Sequence, residues 1–180
     1  MRFAIAIATV VVAVAVGVAG CAWCRLKPPQ VPAALQPPAD QMLFLQVHAT
    51  GVQIYECASK PEAPGVFTWT FQAPEATLTD RWGRTIGRHY AGPSWESPDG
   101  SRVVGEVVAR DPGPDPSAIP WLLLKAKSTS GTGPLSRTQS ILRIHTAGGT
   151  APTAPCTEIQ AHALVRVPYS AAYYFYSARR

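Results

Sequence analysis

The chain has 180 residues, with 16 Lys and Arg against 11 Asp and Glu, a net charge of +5. The basic residues are scattered rather than gathered into a stripe with interleaved aromatics, which excludes nucleic acid as a partner. Four cysteines stand without the His and Cys spacing of a zinc set, so no metal and no cofactor is implied.

The first element is a run of apolar residues from Phe3 to Val18, with Arg2 as its only preceding charge. It has the charged start, apolar middle and small-residue end of an export signal. Its Val18-Ala19-Gly20-Cys21 ending resembles a lipobox, in which the cysteine receives lipid and becomes the new N-terminus. Residues 1–20 then form a lipoprotein-type signal peptide, and Cys21 attaches the protein to a membrane. Two other readings stand beside this one. Ordinary secretory cleavage fits Gly17-Val18-Ala19, and an uncleaved span reaching Arg25 has the length of a membrane helix. All three place residues 25–180 outside the cytoplasm.

Residues 21–41 read as a lipidated cysteine followed by a tether, because Pro28-Pro29, Pro32 and Pro37-Pro38 favour extended polyproline II. The competing reading is a loop packed on the domain, above all for Val31–Leu35. Residues 42–180 form the β-rich domain. Two-residue alternation broken by turn signals predicts strands at 43–48, 52–57, 66–72, 76–79, 85–89, 103–109, 121–127, 138–145, 159–167 and 171–177. Ala49-Thr50-Gly51 is read as the first turn. Asp111–Pro116 and Ala147–Pro155 are surface loops. About ten short antiparallel strands argue for a single all-β domain, a β-sandwich or barrel. Pro74, Pro93 and Pro168 are placed to protect strand edges. In an oxidising compartment Cys57 and Cys156 form a natural disulfide, closing a loop of ~100 residues. Cys24 is left over.

Between Asp80 and Asp99 lies the densest group of functional residue types. Asp80, His89, Tyr90, Trp95 and Glu96, with Trp121 further along, combine flat aromatic faces and orienting polar groups, as small-molecule or glycan pockets do. His89 with Glu96 or Asp99 also has the makings of an acid–base or metal site. The plain alternative is a loop held rigid by Gly92-Pro93, with the same side chains bonded to one another. Ser94 beside His89 and Glu96 lacks the elbow motif of a nucleophile.

A resemblance runs through most of the mature chain. Gly51-Val-Gln-Ile-Tyr-x-Cys57, Trp69-x-Phe-x-Ala-Pro-Glu-Ala-x-Leu78, His89-Tyr-Ala-Gly-Pro-x-Trp-Glu96, Asp99-Gly-Ser, Ile119-Pro-Trp-Leu-Leu and Thr146-x-Gly-Gly-x-Ala-Pro152 with Cys156 appear in that order. Residues 31–176 thereby resemble the family catalogued as domain of unknown function 3455. The resemblance implies an exported, β-rich protein with the two matched cysteines bridged, and it implies no activity. The reading as a whole is an extracytoplasmic, lipid-anchored envelope protein. It acts as a binding or structural module, with the membrane and a small molecule or glycan as partners. The alternative is an envelope hydrolase or metal-dependent enzyme centred on His89.

Overall fold

A computed structural model describes residues 26–179, so the signal segment, Cys21 and Cys24 lie outside the described residues. Eight strands form one closed antiparallel barrel: β1 (Gln41–Lys60), β2 (Ala63–Thr79), β3 (Thr85–Tyr90), β4 (Ser94–Glu96), β5 (Arg102–Asp111), β6 (Trp121–Ser130), β7 (Ser140–Gly148) and β8 (Leu164–Ala178). Each strand pairs with the next in sequence, and β8 returns to β1 to shut the ring. The all-β expectation holds, and of its two architectures the barrel is the one adopted. No helix among the described residues is long and apolar enough to cross a membrane.

The strand count differs from the sequence expectation for local reasons. Ala49-Thr50-Gly51 does not turn. Gly51 lies mid-ladder in β1, opposite Ala76 on one side and Tyr169 on the other. A Cβ there would lie 2.0 Å from the Glu75 carbonyl oxygen, so this glycine serves a close approach of strands. Pro74 and Pro168 likewise lie inside paired strands, opposite Gln53 and Val52. Each is paired on one side only, since β2 meets β3 from Ala76 onward and β8 meets β7 from Tyr169 onward. Both prolines thus stand where a strand outruns its second neighbour, as edge protection requires. Pro93 lies in the tight turn between β3 and β4. β4 has only three residues, too short for its alternation to be seen.

The stretch 159–167 is not a strand throughout. Glu158–Gln160 is a single 3-10 turn with a Thr157/Gln160 capping box, and Ile159 is 97 % exposed. Cys57 and Cys156 are bonded, as expected. The bridge holds Cys156 beside β1, and Cys57 exchanges backbone hydrogen bonds with His162 and Ala163 before β8 begins. The chain must turn there before it can enter the ladder.

Alternation divides the core in two. Val47, Ala49, Leu78, Trp95, Val103, Leu122, Leu124, Ile141, Tyr173 and Phe175 fill the barrel interior. On the outside, Leu43, Leu123, Leu142, Ile144, Ala172, Tyr174 and Tyr176 form a second apolar layer. Leu35 is fully buried in that layer, and Leu26 and Val31 pack against it. Residues 26–40 therefore lie on the barrel wall, with Ala33–Leu35 as one 3-10 turn. The proline-rich composition keeps the segment extended, but its three apolar side chains give it a surface to bury. The packed-loop reading, not the free stalk, describes these residues. Elsewhere the outward face carries ion pairs, Arg88–Glu96, Glu106–Lys125 and Glu75–Arg166.

Candidate functional site

The β3–β4 hairpin sorts the residues that sequence placed together. His89 pairs with Trp95 in register and both face inward, buried. Arg88 pairs with Glu96 and both face outward, joined at 2.9 Å. Tyr90 shares the outer face and donates its hydroxyl to Glu96 Oε2 at 2.5 Å. Those two bonds, Tyr90 first and Arg88 second, hold the Glu96 carboxyl below its ordinary range. Glu96 thus stands across the sheet from His89, since neighbouring residues of a strand point to opposite faces. Asp80 closes its own turn, accepting from the Trp82 and Arg84 backbone amides and from the Arg84 side chain. Asp99 accepts from the Ser101 amide in the next turn. Trp121 is half-buried on the outer apolar layer, edge-on to His145. Of the six candidates, His89 and Trp95 come together on the inner face and Tyr90 and Glu96 on the outer, while Asp80 and Trp121 stand apart. Ser94, His89 and Glu96 do not converge as a triad. No cluster of three His, Cys, Asp or Glu close enough to hold a metal occurs among the described residues.

What the two inward residues do is line a cavity. It measures about 460 Å³ and reaches from the barrel interior to exposed Phe71, Gln72 and Arg110. Trp95 forms its floor. The indole meets Tyr173 and Phe175 edge-on at 5.3 and 6.1 Å, and it fits because Gly105 leaves room. A Cβ on Gly105 would lie 3.0 Å from the indole ring. His89 stacks on Trp95 with centroids 4.4 Å apart and planes 12° from parallel. Its Nδ1 lies 2.8 Å from the Ser94 carbonyl oxygen. A carbonyl only accepts, so Nδ1 carries the proton and Nε2 is left as an acceptor. Burial pushes the His89 pKa down to about 3, against the Ser94 bond and with help from the Arg143 charge. The imidazole is neutral at any physiological pH.

The remaining lining residues escaped the sequence reading. Gln53 and Tyr55 come from β1, Arg143 from β7 and Tyr173 from β8. Arg143 donates from Nε and Nη2 to the Pro120 carbonyl oxygen, at 3.2 and 2.8 Å, and no carboxylate among the described residues bonds to it. Its charge is felt by Tyr55, Tyr169, Tyr173 and His89. In the three tyrosines burial nevertheless dominates and raises the hydroxyl pKa. The Tyr173 hydroxyl lies close to both the Tyr169 hydroxyl and Arg143, short of hydrogen-bond geometry. Together with Gln53 Nε2 and Trp95 Nε1, the two hydroxyls are buried without a partner among the described residues. Buried polar groups are rarely left so. The rim is tied down by Tyr55 donating to the Gly149 carbonyl at 2.6 Å, Trp69 donating to Ala154, and the Cys57–Cys156 bridge.

The family model described as protein of unknown function (DUF3455) matches residues 38–177. The chain belongs to that family. The match takes in every cavity-lining residue and both bridged cysteines. No curated protein and no solved structure matches the chain.

Proposed function

We propose that this protein is an exported, lipid-anchored member of the cell envelope whose barrel binds a small, mostly apolar molecule in its interior. One observation carries the reading: a cavity of about 460 Å³ is lined by apolar side chains together with Gln53, Trp95 and Tyr173, whose buried polar atoms lack a partner among the described residues. That volume falls within the roughly 300–1,000 Å³ of small-molecule sites, and a few oriented polar groups in an apolar lining are their usual composition. Eight-stranded barrels have an interior wide enough to be filled by side chains or to hold one small ligand. A cavity of this size that runs into the barrel interior suits a compact molecule better than an extended glycan. The bridged cysteines support export, because disulfides persist in oxidising compartments. Attachment through Cys21 rests on the lipobox-like junction.

The test uses the full-length protein in detergent, with protein-free micelles as the blank. N-phenyl-1-naphthylamine, a neutral apolar dye, gains fluorescence on entering the barrel. Val107→Trp, which fills the cavity from β5, abolishes the gain. No gain above the blank, or an undiminished gain in Val107→Trp, overturns the reading. Labelling of the wild type with radioactive palmitate, and its loss in Cys21→Ser, tests the anchor.

A further inference from the structure

We infer that the ligand is an organic carboxylate, its apolar body in the barrel and its carboxylate on Arg143. This rests on the binding role proposed above and specifies its chemistry. The cavity lining contains two arginines, Arg110 at the exposed rim and Arg143 further in, and no Asp or Glu. An arginine cannot shed its proton, so a half-buried guanidinium without a carboxylate partner calls for an anion from outside. His89 cannot repel such an anion or attract it, being neutral.

The geometry suits a carboxylate. The Pro120 carbonyl takes Nε and Nη2 and so fixes the guanidinium plane, leaving the rest of its donor fork without a carboxylate. Gln53, Trp95 and Tyr173 share the cavity lining with it, and each carries a donor with no partner among the described residues: Gln53 Nε2, Trp95 Nε1 and the Tyr173 hydroxyl. A lining with these donors and no carboxylate suits a two-oxygen acceptor and offers little to a cation. Phe71, Val107, Ile119, Leu122 and Leu124 supply the apolar wall for a chain or ring. A free carboxylate with a hydrocarbon tail meets both requirements, whereas inorganic anions leave the apolar wall empty.

Displacement of N-phenyl-1-naphthylamine from the full-length protein separates the possibilities, using decanoate, 1-decanol and decylammonium as competitors. Decanoate displaces the dye at a concentration about tenfold or more below that needed for 1-decanol, as a charge-assisted bond adds to the shared chain. Decylammonium is the weakest competitor. Arg143→Gln brings decanoate level with 1-decanol while dye binding persists, and Arg143→Lys keeps most of the preference. Equal displacement by decanoate and 1-decanol in the wild type overturns the carboxylate inference and leaves the binding role standing. So does a preference that survives Arg143→Gln. Failure of the dye itself to bind overturns the binding role and this inference with it. Where Arg143→Gln does not fold, the wild-type ratio and Arg143→Lys decide.

Discussion

Lowering the pH from 7 to 5 removes about 2 kcal/mol of folding stability through His89 alone. The side chain is buried, stacked on Trp95 and bonded through Nδ1–H to the Ser94 carbonyl. Burial lowers its pKa from the ordinary 6.5 to about 3. The unfolded chain therefore takes up a proton below 6.5 that the barrel refuses until about 3. Stability from this residue is complete above the unfolded value and declines as pH falls, by up to about 1.4 kcal/mol per unit. The carboxyls of Asp80, Glu96, Asp99 and Asp115 are held low in the fold, so their contributions are lost only at more acidic pH. Between pH 6.5 and 5 the His89 effect is thus separable from theirs. Urea unfolding at pH 7 and pH 5 measures it, with His89→Phe as the comparison. Phenylalanine keeps a ring on Trp95 and leaves the Ser94 carbonyl unpaired, which costs about 1–3 kcal/mol at either pH. Its loss between the two pH values is about 2 kcal/mol smaller than the wild type's, and other histidines cancel in the difference. Parallel pH profiles for the two proteins would refute the assignment of His89 as buried and neutral.

Other perturbations follow from the same packing. Replacing Cys57 and Cys156 together by serine costs about 4–5 kcal/mol by the chain-entropy argument, given the 99-residue separation, and shows as a lower urea midpoint. The same variant becomes open to proteases between Gly149 and Pro155, the rim segment that the bridge pins. Leu35→Ala costs about 2–4 kcal/mol, because the residue is fully buried in the outer layer. Limited proteolysis then cuts ahead of Gln41 before the barrel is touched. Glu96→Gln leaves dye and decanoate binding unchanged in titration, since its carboxylate faces away from the cavity.

Much of the barrel is legible in the sequence. Phe67–Phe71, Trp121–Leu124 and Tyr173–Tyr176 alternate or run apolar in the way strands do, and Cys57 with Cys156 fixes a long-range contact. Three breaks were misplaced for one physical reason. Gly51, Pro74 and Pro168 carry turn or edge signals locally, yet β1, β2 and β8 are longer than the usual 5–6 residues and pass straight through them. Gly51 gains partners on both sides and each proline gains one on β1, pairings distant in sequence that no local window contains. The same holds for residues 26–40, where Leu26, Val31 and Leu35 bury themselves only against a layer built from β1, β6, β7 and β8.

The candidate site was half legible, and the missing half shows where the information lay. Grouping residues 80–99 by proximity in sequence mixed the two faces of a hairpin, so His89 and Trp95 were gathered with Tyr90 and Glu96, which face solvent. Sorting the same hairpin by alternation separates them. Applied to Ile141-Leu142-Arg143-Ile144, the same sorting places a permanent charge on the face of β7 that Ile141 turns to the core. An inward arginine conflicts with the apolar pattern around it, and natural sequences tolerate such conflicts chiefly at functional sites. Gln53, placed inward between Gly51 and Tyr55, is the same kind of exception on β1. Both exceptions line one cavity, beside a histidine that burial keeps neutral and tyrosines that burial keeps protonated. A barrel interior meant only for packing would have apolar residues at these positions, which is why the cavity, and not the exposed motif beside it, carries the functional reading.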